Sequence, residues 1–193
     1  VSTAYARDGS HKFGAGISFD RNIPVLKLAD RYPASQKYGI LFDNRLSSRT
    51  TMELEYHHTK LDDGKIERRA FMWPVDKQKY LSPGARSEMR LNSFLIGALV
   101  HLRDEVKGSD MQLRPYIAVG AGFYDYKDKI SGLIYPGQKV KPLNPDLLIE
   151  PRTDAHMALG ASFGLGMGVV QGHFGLDVRA RYHKILGDLR PME

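Results

Sequence analysis

The chain has no cysteine, a single tryptophan and no long hydrophobic run. Without cysteine it can form no disulfide, no thiolate metal site and no thiol nucleophile. No segment approaches the roughly 18 to 20 consecutive apolar residues of a membrane-spanning helix. Thiol chemistry and a helical membrane span are therefore excluded. The fold has to be inferred from the order of apolar and polar residues along the chain.

The chain of 193 residues has the length of one domain, which we place at residues 1–193. It begins at Val1 without a charged and apolar leader, so we expect that a signal peptide has been removed. Its formal net charge of +6 leaves polyanions open as partners, namely nucleic acid, lipopolysaccharide phosphates or acidic glycans. The mean hydropathy of -0.37 suits a soluble protein. A membrane β-barrel has a similar value, because only alternate residues face lipid.

Residues 155–183 carry the clearest pattern. In the second half, apolar residues alternate strictly with small or polar ones, which is the period-two signature of a strand with two unlike faces. The apolar set there is Phe174, Leu176, Val178, Ala180 and Tyr182. The first half alternates in the same way from His156 to Gly166, and the segment VVQG at 169–172 predicts a tight hairpin turn.

The other face of this hairpin combines glycines with opposite charges such as Asp177, Arg179 and Arg181. The wet face of a soluble sheet would instead carry many long polar side chains and few glycines, because glycine weakens strands. Small residues with a few paired ions suit the crowded interior of a narrow barrel. The large apolar side chains are then predicted to face outward into lipid.

Five further segments alternate in the same way: His11–Asp20, Lys37–Arg45, Thr51–Thr59, Asn92–Arg103 and Leu113–Tyr126. Long and short connections follow each other along the chain, with the longest loops at Lys60–Arg90 and Lys127–Asp154. Such alternation is typical of an up-and-down barrel with two unlike rims. We predict an all-β, antiparallel up-and-down transmembrane β-barrel of eight strands, of which seven are evident.

The eighth strand is the open question, since single-chain bacterial barrels have even strand numbers. The C-terminal segment KILGDLRPME at 184–193 predicts a fourth outer loop. An open edge in lipid would leave backbone groups unsatisfied, at a cost on the order of several kcal/mol each. The edge is closed by irregular pairing of 184–193, by another chain, or by a final strand that this sequence does not contain. We favour the last of these.

The pattern resembles a known group of proteins. The segments that carry the resemblance are RPYIAVGAGFY at Arg114–Tyr124, the glycine-alternating strand after the long loop, and HFGLDVRARYHKILGD at His173–Asp188. They resemble the small outer-membrane β-barrel families, which are the OmpA-like and OmpW-like proteins and the opacity-type surface antigens. The resemblance covers nearly the whole chain and implies the outer membrane of a Gram-negative bacterium and a porin-like barrel. Family members usually end in one more amphipathic strand with a terminal aromatic residue, which this sequence lacks.

Charged residues that alternate to the inward face are predicted to form a lumen ion-pair network. Its members are Asp43, Arg45, Glu53, Glu55, Arg114, Asp177, Arg179 and Arg181. We interpret the network as a plug of paired charges in a lumen too narrow for water flow. A gated pore or solute path is the alternative for the same residues.

The loop at Lys60–Arg90 is the candidate partner-binding segment. Basic residues surround the only tryptophan, and the candidate contacts are Arg68, Arg69, Phe71, Trp73, Lys77, Lys79 and Tyr80. Such a surface suits membrane lipid and lipopolysaccharide, an acidic glycan, or another envelope or surface protein. A solvated loop packed on its own aromatic rings is the alternative. No recognisable fold or stacking platform supports nucleic acid as a partner.

We predict no catalytic residue, no metal site and no cofactor. Adjacent His57 and His58 point to opposite faces of a strand and cannot chelate one ion. His156 and Ser162 lie roughly 20 Å apart along one strand, too far for a nucleophile and its base. The predicted function is therefore non-enzymatic: an outer-membrane barrel with a plugged lumen, whose long loops bind a surface partner or which contributes to envelope structure.

Two alternatives belong to other classes. The OmpW-like resemblance implies a narrow channel or transporter for small hydrophobic solutes, for which the only hint is Leu41, Leu95 and Leu99 on the inward face. A soluble lipid-binding barrel would invert every face and have a continuous apolar interior.

Overall fold

The computed structural model describes residues 2–7, 12–104, 111–171 and 173–187. Within these ranges the chain is all-β, and no helix has the length and apolarity to cross a membrane. The strands are β1 (Ser2–Arg7), β2 (Phe13–Asn22), β3 (Ser35–Arg45), β4 (Thr50–Leu61), β5 (Phe71–Met72), β6 (Lys79–Tyr80), β7 (Arg86–His101), β8 (Gln112–Ser131), β9 (Arg152–Gln171) and β10 (Phe174–Leu186). Single turns of 3-10 helix at Leu26–Leu28 and Lys65–Arg68 complete the described elements.

Eight of these strands form one closed antiparallel barrel in the order β1-β10-β9-β8-β7-β4-β3-β2. The short strands β5 and β6 pair only with each other, in the connection between β4 and β7. Apart from the closing pair β1 and β10, and with β5 and β6 left aside, neighbours in the barrel follow each other along the chain, which is the up-and-down arrangement. The predicted all-β antiparallel barrel architecture is confirmed.

The strand that closes the barrel lies at the N-terminal end of the chain. β1 pairs on one side with β10, where Ser2 lies opposite Val178, and on the other side with β2, where Arg7 lies opposite Gly14. The expectation of a closing strand absent from this sequence was therefore wrong. Alternation missed β1 because the segment STAYAR is short and mixes small and polar residues without an apolar face. Residues 188–193 of the predicted fourth outer loop lie outside the described residues.

Several strands are longer than the sequence pattern indicated. β7 begins at Arg86, β8 ends at Ser131 and β9 begins at Arg152, so both predicted long loops are shorter than expected. The hydrogen-bonded ladder continues there while outward residues such as Arg90 and Lys127 are charged. The apolar contrast that marks a strand in the sequence is therefore lost before the strand ends.

The hairpin between β9 and β10 is tighter than predicted. Val169, Val170 and Gln171 of the VVQG segment belong to β9, and Gln171 pairs with Phe174. The turn is consequently shorter than predicted: it includes His173, and Gly172 lies outside the described residues.

The two ends of the barrel differ. Short connections, which include 46–49 and 172–173, lie at the end that we call lower. The connections 23–34, 62–85 and 132–151 lie at the opposite, upper end. The predicted alternation of long and short connections is thus present, although the long ones are shorter than expected.

The upper mouth of the barrel is covered by the first upper connection. Tyr32 is buried to 1% exposure against Leu61, Met89 and Tyr126. Its hydroxyl donates to Asp128 Oδ1 at 2.6 Å. Lys65 of the second upper connection donates from its backbone N–H to the Arg31 carbonyl at 2.8 Å, which joins the two connections.

Candidate functional site

The barrel interior is polar and its outward wall is apolar. Glu53, Arg114 and Asp177 are buried to 1–3% exposure, whereas Phe163 on the outward wall is 54% exposed. Soluble proteins show the opposite distribution, because ionised groups are costly to bury and apolar groups gain by burial. The inversion follows from the period of two in each strand, which sends neighbouring residues to opposite sides.

The outward wall forms a continuous band, which we call the apolar belt. Ile40, Tyr56, Phe94, Phe123 and Leu159 form one cross-strand row of it, on five neighbouring strands. Further exposed members are Ile17, Phe19, Tyr38, Phe42, Leu54, Ile96, Val119, Phe163, Leu165, Leu176, Val178 and Tyr182. An exposed apolar surface of this extent is far larger than the patches that soluble monomers carry.

A charged pair crosses the centre of the lumen. Arg179 of β10 donates to Glu53 of β4 through both ends of its guanidinium, with Nη1 to Oε2 at 2.7 Å and Nη2 to Oε1 at 2.9 Å. The Nε of Arg179 donates to Asp177 Oδ1 at 3.0 Å. Such bidentate, charge-assisted contacts are among the strongest that side chains make. They join opposite walls, since β10 and β4 lie four strands apart in the ring of eight.

A second layer lies beside this pair. Arg181 donates to Glu55 through Nη1, and its Nη2 lies 3.4 Å from Glu53 Oε2. His57 Nε2 lies 3.3 Å from Glu55 Oε2. The interior charges therefore share partners as a network, and each carboxylate of Glu53 and Glu55 contacts more than one basic side chain.

Aromatic side chains fill the space between the ions. The Tyr116 hydroxyl donates to Asp177 Oδ1 at 2.8 Å, and its ring centroid lies 5.7 Å from Arg179 Cζ. Glycines provide the room for these rings. A Cβ built on Gly166 would come within 2.3 Å of the Tyr116 ring, and one on Gly160 within 2.5 Å of Tyr124. The glycine-rich inward face is thus the complement of the inward tyrosines.

Below the network lies a small cavity. It has a volume of ≈ 20 Å³, and Asp43, His101 and Arg114 are among the residues that line it. That volume holds about one water molecule. Arg114 Nη2 also donates to the Ser48 carbonyl of a lower turn at 3.1 Å, which ties the cavity wall to the lower rim.

The predicted network residues divide into three groups. Five of them form the contacts described above: Glu53, Glu55, Asp177, Arg179 and Arg181. Asp43 and Arg114 line the cavity below. Arg45 lies at the lower rim, half-buried, where its Nε donates to the Ser47 carbonyl at 3.1 Å, because β3 ends at this residue.

Other interior partners were not singled out from the sequence. Lys37 Nζ lies 3.3 Å from Asp20 Oδ2, above the central network. The Tyr124 hydroxyl lies 2.8 Å from His183 Nδ1. Alternation turns all four side chains inward, and this is the signal that marks them as lumen residues. Their pairing depends on strand register, which alternation does not supply.

The inward leucines do not form an apolar channel. Leu41, Leu95 and Leu99 are buried. Leu99 packs with Tyr116 and Ala118, and it lines the small cavity together with Leu41 and charged side chains. Apolar and ionic residues therefore share the lower lumen.

The candidate partner-binding loop is folded upon its own aromatic rings. Phe71 is buried, which corrects the expectation of an exposed contact there, and its ring lies 6.3 Å from that of Tyr80. Trp73 is half-buried and packs edge to face on Tyr135 of the third upper connection at 5.5 Å. Arg68, Arg69, Lys77 and Lys79 are exposed around this aromatic cluster. The loop thus has a packed aromatic base and a basic surface.

At each end of the barrel, the surroundings shift the pKa of an acidic side chain. In the lower turns, hydrogen bonds from Arg49 and then Ser48 lower the pKa of Asp104 to about 2. At the upper mouth, burial raises the pKa of Asp128 and that of Tyr32.

The described residues contain no group of three or more His, Asp or Glu side chains placed to hold a metal ion. His156 is half-buried against the Tyr126 ring and Ser162 is buried on the inward side. Comparison of the chain with protein-family models, with curated proteins and with solved structures finds no match.

Proposed function

We propose that this protein is a non-enzymatic β-barrel of the bacterial outer membrane, with a plugged lumen and long outer loops that bind a surface partner. The observation that carries the proposal is the inversion of the two faces. Charged residues such as Glu53 and Arg179 are buried inside, while the apolar belt is exposed on the outward wall. Lipid is the environment in which this arrangement is favourable.

The energetics support lipid around the wall. Leaving a Leu, Ile or Phe side chain in water instead of burying it costs about 1.5–3 kcal/mol. The belt residues named above include twelve such side chains, and the cost of their exposure to water would be at least as large as the whole stability of an ordinary domain, roughly 5–15 kcal/mol. Closure of the sheet supports the same conclusion, because every strand of a membrane barrel needs a partner on both sides.

The lengths of seven of the eight barrel strands also agree with a membrane span. A tilted transmembrane strand needs about 9–11 residues to cross the hydrocarbon core. The barrel strands β2, β3, β4 and β10 have 10 to 13 residues, and β8 and β9 have 20. The longer strands would extend past the membrane at the upper end, where their outward residues become charged.

The contents of the lumen favour a plug over a pore. Paired charges cross its centre, Tyr32 covers the upper mouth, and the lower cavity holds about one water molecule. A channel for hydrophobic solutes would need an apolar path. Leu41 and Leu99 instead line a cavity together with charged groups, and Leu95 lies opposite Glu55 in the sheet. A soluble lipid-binding barrel would need the continuous apolar interior that these residues do not form.

The upper loops are the proposed contact surface for a partner. Arg68, Arg69, Lys77 and Lys79 present positive charge on a base of packed aromatic rings. Such a surface suits an anionic partner, which is lipopolysaccharide or an acidic group on an envelope or surface protein. Rigid packing beneath the charges reduces the entropy lost on binding.

Folding in lipid tests the membrane assignment. The denatured chain is diluted into buffer alone, into detergent micelles and into phospholipid vesicles. Folding is followed by far-UV circular dichroism and by the shift in gel mobility between unheated and heated samples. Native β structure that requires micelles or vesicles is the expected result. A monomeric, cooperatively folded protein in plain buffer would overturn the assignment and favour the soluble barrel.

Planar-bilayer recordings of the folded protein then separate the plug from the channel. We expect no stable unitary conductance from the wild type. A steady conductance, or uptake of small hydrophobic solutes into vesicles, would favour the transporter alternative instead.

A charge-neutralised loop variant tests the contact surface. Replacement of Arg68, Arg69, Lys77 and Lys79 by Gln should weaken binding to immobilised lipopolysaccharide without changing the folded gel mobility. The matched control replaces the two arginines by Lys and the two lysines by Arg, which preserves the charge. Equal binding by both variants would exclude this surface as the anion contact.

A further inference from the structure

A row of basic side chains lies on the outward wall just above the apolar belt. Lys60 of β4 is the register partner of Arg90 of β7, and Arg90 is the register partner of Lys127 of β8. All three side chains are exposed. They stand on neighbouring strands, with Cβ atoms of directly paired residues about 5 Å apart. We call these three residues the basic row.

The row is electrostatically unfavourable by itself, because like charges directly opposite each other destabilise a sheet. Lys60 is partly compensated, with Nζ at 2.8 Å from Asp62 and 3.7 Å from Glu88. Neither Arg90 nor Lys127 has an acidic side chain within ion-pair distance in the described part of the chain. An external anion would remove the repulsion between them.

A polar shelf separates the row from the belt. His58, Asn92 and Asp125 are the outward residues one step below the row on the same three strands. His58 Nδ1 lies 2.7 Å from Asn92 Oδ1, and Asn92 Nδ2 donates to Asp125 Oδ2 at 3.2 Å. The Asp125 carboxylate, which lies one step below the row on the strand next to Arg90, is therefore already hydrogen-bonded to Asn92.

The apolar belt begins directly beneath this shelf. Tyr56, Phe94 and Phe123 are the next outward residues on the three strands, and all are exposed. Each two-residue step along a strand covers about 7 Å. The wall thus changes from cationic through polar to aromatic over roughly 14 Å. This order complements an amphiphile, whose anionic head would lie against the cationic residues and whose apolar chains would lie against the aromatic ones.

We propose that the basic row binds the phosphate groups of a membrane lipid whose acyl chains lie on the belt below. This inference rests on the proposed membrane location and adds a specific lipid site to it. A phosphate offers several strong acceptor oxygens, and the guanidinium of Arg90 matches them with paired N–H donors. Lys60 and Lys127 flank it and supply charge. The row ends at β9, where Ala155 pairs with Lys127.

Binding of a bisphosphorylated lipid A, compared with the same lipid after enzymatic removal of its phosphates, tests the proposal. The full chain is folded in uncharged detergent, and lipid binding is followed by the shift of the thermal unfolding midpoint. The wild type should bind the phosphorylated lipid at least about tenfold more tightly than the dephosphorylated one. The difference should shrink with added salt, because exposed charges are screened.

Two variants of equal charge locate the site. Lys60→Gln, Arg90→Gln and Lys127→Gln together should abolish the preference for phosphorylated lipid. The control, Arg21→Gln, Lys27→Gln and Lys184→Gln, removes the same charge at exposed positions outside both the basic row and the proposed loop contact surface, and it should retain the preference. Folded gel mobility of both variants shows that neither has lost the barrel.

The outcomes separate this inference from the proposed function. Three results would overturn the lipid-phosphate site while leaving a folded membrane barrel. They are equal affinity of the wild type for the two lipids, an equal loss of the lipid preference in both variants, and a shift of the unfolding midpoint with inorganic phosphate alone that equals the shift with lipid. Failure of the wild type to fold in detergent or lipid would overturn both proposals.

Discussion

Arg179 and Glu53 join opposite walls of the barrel through two parallel hydrogen bonds, although 126 residues separate them in the chain. Both side chains are almost fully buried, at 5% and 2% exposure. A buried pair of this kind contributes little relative to an apolar replacement of both partners. Removal of one partner is costly, because the other charge is left buried without compensation.

Arg179→Ala should therefore lower the free energy of unfolding by about 3–5 kcal/mol, since Glu53 loses its bidentate partner. Denaturant unfolding of the barrel in detergent, followed by tryptophan fluorescence or circular dichroism, measures the change. Arg181→Ala should act in the same direction through Glu55. The control is Arg49→Ala, which removes an exposed pair with Asp104 and should change stability little. An equal free energy of unfolding for Arg179→Ala and the wild type would show that this face of the sheet is exposed to water.

Leu165→Arg should prevent folding into vesicles, because Leu165 lies three outward positions below the top row of the belt on β9 and an arginine at the middle of the bilayer costs about 2–4 kcal/mol. Val178→Arg should have the same effect. Leu147→Arg is the matched control, since Leu147 in the third upper connection is 50% exposed and Leu165 is 57% exposed. Folding yield in vesicles measures the difference. In a soluble barrel the two leucine variants would fold equally well, so equal yields would show that the belt does not face lipid.

Acid should stabilise the folded barrel through Asp128 at the upper mouth, because protonation removes a partly buried charge. Burial raises the pKa of Asp128 above its ordinary value, so the folded state binds this proton more tightly than the unfolded state. The contribution of Asp128 to stability is therefore lowest above the raised pKa, and it improves as the pH falls through that pKa toward the ordinary value of 3.8.

Asp128→Asn tests this dependence, because the amide oxygen still accepts from the Tyr32 hydroxyl but carries no charge. The variant should show a flatter stability profile between about pH 7 and pH 4 than the wild type. Tyr32→Phe should steepen the profile, since the hydrogen bond from Tyr32 lowers the pKa that burial raises. The unfolding midpoints of the wild type and both variants are measured across this pH range. The same pH profile in Asp128→Asn and in the wild type would contradict the role of Asp128.

Gly122→Ala should destabilise the barrel by about 1–3 kcal/mol through overpacking. A Cβ at this position would lie 2.0 Å from the Phe94 carbonyl oxygen, and backbone there belongs to a paired strand and cannot move aside easily. Ala121→Val is the control, because it adds carbon atoms at the next residue on the exposed outward side. Denaturant midpoints compare the two, and equal midpoints would show that the inward wall has more room than the geometry indicates.

Particular residues show how far the pattern of the sequence reaches. Alternation correctly assigned Glu53 and Arg179 to one side and Phe163 and Val178 to the other. It overestimated the length of both long loops, because β7 and β8 continue where their outward residues become charged, β7 beside the loop around Trp73 and β8 beside the loop at 132–151. It also took Phe71 for an exposed contact, since a single buried ring in a two-residue strand has no periodicity to mark it.

The sequence by itself determined which residues share a face in seven of the eight barrel strands, because side-chain direction in a strand is a local property with a period of two. Only the tertiary structure decided that Arg179 meets Glu53, that β1 closes the barrel between β10 and β2, and that Tyr32 covers the upper mouth. These relationships depend on strand register and ring closure between distant segments, which alternation leaves undetermined. The basic row has the same origin, since Lys60, Arg90 and Lys127 become neighbours only through that register.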